Sequence, residues 1–354
     1  MSRALTLLVQ RAVLAPLVVI GALLLWFTAP LWLVGLAIAA SIVPAWLRPV
    51  RLLWLMALHV TLEALAMIEM LGLWIASGFG VFLHTRYFQR IHYDIVQGYL
   101  WVVVREARRV LHLKIETLGA EPDAMPGSPL LVLSRHAGPG DSFTLIYTLM
   151  HWYRREPRVV LKDSLRWDPA LGILLGRLPN RFIGAGQSRD LEREIGELAT
   201  ELDHDDAFVI FPEGGNFTPQ RRDRQIARLR RLGLDAMADR AEEWIHVLAP
   251  RPGGVVAALQ AAPEVDVLLV AHTGLDHVLT VTDLWREIPM DKQISMGWWR
   301  VPRSEIPEGR EAQIEWLYDW WARIDEWVEA HRPADLHPQT GIRGGLRPAA
   351  RRSR

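Results

Sequence analysis

The chain has 354 residues, enough for one large domain or two small ones with a full hydrophobic core. Its 40 basic and 40 acidic residues balance, so no global charge draws it to nucleic acid. It has no cysteine, which excludes disulfides, thiolate zinc sites and a cysteine nucleophile.

The slightly positive mean hydropathy comes from the N-terminus. Ala12 to Leu47 carries no charge, with Arg3 and Arg11 before it and Arg48 and Arg51 after it. About 20 apolar residues cross a bilayer, and Pro30 divides this run into 12–29 and 31–47. Arginines at both outer ends and none at the turn predict a membrane hairpin with both ends in the cytoplasm. A signal peptide is the alternative, but the run is long for one and no small-residue cleavage site stands out before Arg48. Arg51 to Leu83 is a second apolar stretch carrying His59, Glu63 and Glu69, and His59 and Glu63 share a helical face. The topology suits an in-plane interfacial helix whose polar side meets protein; a polar track within the bilayer is the other reading. Residues 1–84 are therefore expected as a membrane-associated helical region and 85–331 as a catalytic domain. Residues 332–354 are expected as a disordered basic tail.

From Thr85 the composition turns mixed, with aromatics among arginines from Arg86 to Val110, as at a membrane surface. LHLKIETL (111–118) alternates as a half-buried strand does. Leu130 to Ser134 is a short apolar strand, and an apolar run from Phe143 to Met150 suits a helix. Arg158 to Lys162 and Arg181 to Gly184 read as strands, with a short helix starting at Asp168-Pro-Ala-Leu-Gly between them. Asp190 to Leu202 is helical and Ala207 to Phe211 is another strand. Gln220 to Trp244 is a helical pair with arginines at 221, 222, 224, 228, 230 and 231. That basic face is either simply solvated or attracted to anionic headgroups or donor phosphates. His246 to Val255 reads as a strand and turn, Asp266 to His272 and Ile294 to Val301 as strands. Ala312 to Val328 is an amphipathic helix with Ile314, Leu317, Tyr318, Trp321, Ile324 and Val328 on one stripe. Strands alternating with helices predict an α/β fold, a largely parallel central sheet flanked by helices.

Two polar clusters follow strands. LLVLSRHAGPGD (130–141) places His136 and Asp141 five residues apart on a strand-to-helix loop, and Phe211-Pro-Glu-Gly-Gly follows the strand at 207–211. A histidine steadied by a carboxylate is a general base that can take a proton from an acceptor hydroxyl. Asp141 as a helix N-cap is the plainer role. No G-x-S-x-G elbow is present, so a serine acyl-enzyme is not expected. The Pro-Glu-Gly-Gly loop lets backbone approach a phosphate or glycerol, and its carboxylate can accept from a hydroxyl.

These residues resemble the glycerolipid acyltransferase superfamily, that is, the 1-acylglycerol-3-phosphate and lysophospholipid acyltransferases. SRHAGPGD resembles its histidine–aspartate box and FPEGG its Phe-Pro-Glu-Gly box, 77 residues apart. LKDSLRWDPALGILLGRLPNRFIG is similar to the Lys-x-x-Leu segment between them, and HVLAPRPGGV to a late Leu-Pro-Arg box. The resemblance spans about Leu111 to Glu329. It implies a membrane-bound O-acyltransferase moving an acyl group from acyl-CoA or acyl-carrier protein to a lysophospholipid hydroxyl, lysophosphatidate among them. His136 is then the base, Asp141 its orienting partner, and Glu213, Gly214 and Gly215 shape the acceptor site, with Lys162, Arg181, Arg189 and Arg251 as substrate contacts. It further implies no cofactor, no metal and a catalytic domain facing the cytoplasm. The chain departs from the family at Arg135, where Asn or a similar residue is usual. It departs again at Ala185, where an arginine is usual that Arg181 or Arg189 could replace, and at Gly215-Asn216 in place of Thr-Arg. The competing reading is a metal-dependent membrane-associated hydrolase using His136, Asp141, His272 and Asp276.

Overall fold

The computed structural model describes residues 9–40, 47–119, 127–184, 188–276, 278, 282–283, 285, 288 and 291–333; within helices, the side chains of 10, 11, 37, 39, 40, 47, 48, 139, 141 and 188–190 are not described. The expected disordered tail lies outside the described residues from 334 onward, as does Ala185.

The N-terminal apolar run forms α1 (Ala15–Phe27) and α2 (Ala29–Ala40). They meet at a bend of 54°, so the hairpin expectation is corrected. Pro30 falls in the first turn of α2, where its missing N–H costs nothing, and the chain kinks there instead of reversing. Next comes α3 (Leu47–Ala76), whose Pro49–Ala76 stretch is long and apolar enough to cross a bilayer; the bent pair together is a second candidate among the described residues. One side of α3 is docked. Ala66, Met67 and Met70 pack on Tyr93, Val96 and Leu100 of α4 (Arg86–Leu111). The Glu63 carboxylate accepts from Ala170 N at 3.0 Å and His59 Nδ1 lies 3.3 Å from the Tyr99 hydroxyl. Glu63 is buried against protein, whereas His59 and Glu69 are exposed. The outer side of α3 leaves Met56, Leu65, Ile68, Leu71 and Ile75 at least half exposed.

Strand β1 (Lys114–Leu118) is followed by β2 (Leu130–Ser134), α5 (Pro139–His151), β3 (Glu156–Lys162), α6 (Pro169–Gly176), β4 (Arg181–Ile183), α7 (Ser188–Thr200) and β5 (Asp206–Ile210). The basic pair is α8 (Pro219–Arg231) and α9 (Asp235–Glu243); then come α10 (Pro252–Ala261), β6 (Asp266–Thr273), β7 (Gln293–Val301) and α11 (Arg310–His331). The seven strands lie in the order β1-β7-β6-β2-β5-β3-β4. β6, β2, β5, β3 and β4 run parallel, and β7, with β1 parallel to it, runs the opposite way. The sheet is largely parallel, as expected.

Alternation along β2 explains the layers. Leu131 and Leu133 face a core closed by α7, α9, α10 and α11, where Leu317, Tyr318, Trp321, Ile324 and Val328 are all buried. Leu130 and Val132 face the other way, onto Leu145 and Leu149 of α5. Both faces are covered, so the central strands read as continuous apolar runs. The expected strand over His246–Val255 is absent. An irregular segment leads to Pro252, which opens α10 at a position suited to its fixed φ. A Cβ on Gly254 would stand 2.6 Å from Ile195 Cδ1, so the glycine lets α7 and α10 approach closely.

Candidate active site

Adjacent parallel strands β2 and β5 deliver their following loops to the same sheet edge, the usual site of ligand crevices in parallel α/β sheets. The two loops are laced together. Phe217 N donates to His136 O at 2.8 Å, and His136 N donates to Glu213 Oε1 at 3.2 Å. The His136 ring is half-buried and lies 4.6 Å from the Phe211 ring, centroid to centroid. Its Nδ1 has no hydrogen-bond partner among the described residues. Burial pushes its pKa down, and the charges of Lys162, His272, Arg221 and Arg135 push the same way, to about 3. The ring is therefore neutral, the form a base requires.

Asp141 is the third residue of α5, and the N-cap position falls to Gly138, three residues before Asp141; the Asp141 side chain lies outside the described residues. The proline at N1 draws the helix forward to Pro139.

Glu213 differs from expectation. It is fully buried, and its second oxygen accepts from Leu248 N at 3.2 Å. Burial raises its pKa to about 8, against Arg135 and the two amides, which lower it. Its carboxylate thus fixes the backbone of His136 and of the 244–251 segment, and is not open to an acceptor hydroxyl.

The Gly214 and Gly215 positions are cradles for cations. Gly214 has φ +69°, and a Cβ there would stand 3.0 Å from the Arg251 guanidinium carbon. A Cβ on Gly215 would meet Arg221 Nη1 at 2.9 Å. Arg221 Nη1 also donates to Asn216 O at 3.0 Å, and Arg251 N donates to Pro212 O at 2.8 Å. Arg221 thus brings a cation to the backbone of residues 215 and 216. Lys162, at the end of β3 on the same edge, completes the group, its pKa lowered by burial and by Arg221. Sequence reasoning placed Arg221 only on a basic helix face; two consecutive glycines followed by an arginine after one more helical start were the available signal.

Arg181 is not part of this group. Through the registers Val160↔Arg181, Val159↔Val209 and Leu133↔Ile210 it is level with Leu133, three strand spacings or about 14 Å to the side. It lies 3.6 Å from Glu197. The Arg189 side chain is outside the described residues.

Arg135 is 1% exposed. It donates to His246 O from Nε (3.1 Å) and Nη2 (2.9 Å), donates to His272 O from Nη1 (2.6 Å), and pairs with Asp276. Asp276 also accepts from the Thr273 hydroxyl at 2.8 Å and Gly274 N at 2.9 Å; His272 Nε2 donates to Arg135 O at 2.8 Å. His272 and Asp276 are two of the four residues of the metal-hydrolase reading; the Asp141 side chain of that set lies outside the described residues. The Asp276 carboxylate and the His272 imidazole serve an arginine brace, and no group of three or more His, Asp or Glu among the described residues could hold a metal.

Residues 113–271 match the protein family described as Acyltransferase. Among solved structures, the 1-acyl-sn-glycerophosphate (LPA) acyltransferase PlsC from Thermotoga maritima is similar over 75% of this chain and 99% of its own, at 14% identity and a TM-score of 0.42. No curated protein sequence matches the chain.

Proposed function

We propose that the chain, whose residues 113–271 match the Acyltransferase family, is a glycerolipid acyltransferase that transfers a fatty acyl group from an acyl thioester to the hydroxyl of a lysophospholipid. His136 takes the proton of the acceptor hydroxyl as the oxygen attacks the thioester carbonyl carbon. The C–S bond then breaks, and the leaving thiolate takes the proton back from the imidazolium. No cofactor is required. Asp141 is the proposed partner of Nδ1, holding the tautomer that leaves the other ring nitrogen free to accept.

The observation that supports this reading is the His136 loop laced to the glutamate loop, with Arg221 resting on Gly215 and the charges of Lys162 and Arg221 acting on the imidazole. An acceptor phosphate held by Lys162 and Arg221 offsets two of the charges that depress His136. The base strengthens when the substrate is in place. The exposed apolar side of α3 and of the helices before it is the proposed contact with the cytoplasmic membrane, catalytic domain facing the cytoplasm.

The test is to incubate purified protein with labelled acyl-CoA or acyl-carrier protein and a panel of lysophospholipids. His136→Ala is expected to lower kcat/KM by about 10²–10⁴. A variant that keeps full transfer rejects the base assignment.

A further inference from the structure

The arginines of α8 divide into two sets. Arg222 donates to the carbonyls of Trp244 (2.5 Å) and Glu242 (2.6 Å), and Arg230 reaches Asp239 (2.6 Å) and Glu242 (2.9 Å) of α9. These tie the helical pair together. Arg221, Arg224 and Arg228 have no ion-pair partner among the described residues. Arg221, Gln225 and Arg228 recur at i, i+4 and i+7 and share a face. Gln225 Nε2 donates to Glu213 O at 3.1 Å, which turns that face toward the glutamate loop. The charge of Arg228 acts on Arg251, whose guanidinium rests on Gly214. A line of cations therefore starts beside His136 at Arg221 and runs outward. Seven residues at 1.5 Å each place Arg228 about 10 Å further along the helix.

One phosphate on the acceptor needs one end of this line. A thioester donor carries its own phosphate, separated from the reacting carbon by the whole pantetheine arm, whether coenzyme A or a carrier protein bears it. We propose that Arg228, with Arg251, holds the pantetheine phosphate of the donor while Arg221 and Lys162 keep the acceptor. This rests on the acyltransferase reading above. A lipid surface is the weaker occupant, because Ile226 and Leu229 of α8 pack into the core on the sheet face opposite the apolar α3 side.

Equilibrium binding to full-length wild type and to Arg228→Gln tests this without turnover, using coenzyme A, phosphopantetheine, pantetheine, a holo-carrier protein and phosphatidylglycerol vesicles as probes. Coenzyme A and phosphopantetheine are expected to bind about tenfold more weakly to the variant, the size of one charge-assisted contact, with pantetheine shifted no more than twofold. A matching loss for the holo-carrier protein makes it a donor source too. Equal losses for pantetheine and phosphopantetheine, no phosphopantetheine binding to wild type, or a loss confined to vesicles overturns the proposal. Failure of the acyltransferase reading looks different: no labelled product from any lysophospholipid, whatever Arg228 does to coenzyme A binding.

Discussion

Replacing Arg135 with Met strands a buried carboxylate. The guanidinium gives three hydrogen bonds to the His246 and His272 carbonyls and pairs with Asp276. Breaking a buried pair by removing one partner costs about 3–5 kcal/mol, and two carbonyls left short of a donor add on the order of 1 kcal/mol each. Arg135→Met should therefore destabilise by roughly 5–7 kcal/mol, a fall in Tm of roughly 10 °C or more. Asp276→Asn alone should cost about 3 kcal/mol or more, because the arginine keeps its charge and loses its counter-charge. The double variant removes both charges, so its loss should fall short of the sum by about 2–3 kcal/mol. Thermal unfolding followed by the fluorescence of the 16 tryptophans measures all four proteins. Losses that add within about 0.5 kcal/mol would refute the coupling. Acid unfolding offers a second reading. Burial alone would raise the Asp276 pKa, but Arg135, Gly274 N and the Thr273 hydroxyl outweigh it and hold the carboxyl well below the usual range. That stability is present above the ordinary carboxylate pKa and lost as pH falls, and Arg135→Met should lack the trend.

His136, pushed down to about 3 chiefly by burial, stays neutral from pH 8 to pH 5, so the acid limb of kcat/KM should lie well below 6.5. Lys162→Met should move that limb upward; a wild-type limb at 6.5 in a pH–rate profile would contradict the environment described. Glu213, raised to about 8 by burial, holds a proton that the unfolded chain releases from about 4.5. Its contribution to stability is full below 4.5 and lost as pH rises through 8. The Tm of wild type minus that of Glu213→Gln should consequently fall between pH 4.5 and pH 8, and a constant difference speaks against the raised pKa.

Much of the architecture was readable where chemistry is local. Leu130–Ser134, the strand before Phe211 and the Trp321 stripe each carry their period or run length in consecutive residues, and all three form as expected. The site was legible to the extent that its residues follow strand ends. What stayed hidden depends on distant partners. Arg135 looked like a departure in a motif, because its counter-charge is Asp276, 141 residues later, and its other partners are backbone carbonyls. Glu213 looked like a polar loop residue; only the fold buries it under Leu248 and His136. The opposite sense of β7 and β1 likewise has no local signature, since either direction presents the same alternating pattern. Pro30 misled for a different reason: a proline between two apolar runs suits a reversal and a first helical turn alike.

The lashing of α3 to α6 by the Glu63–Ala170 bond and the methionine contacts has a geometric outcome. The longest apolar helix is indexed to the sheet, much as a depth stop is bolted to a drill. Any bilayer that receives its outer flank then sits at a set height and tilt relative to the imidazole. On the proposed function, the reach of a lysolipid out of its leaflet, more than any swing of the protein, would decide which of its hydroxyls arrives.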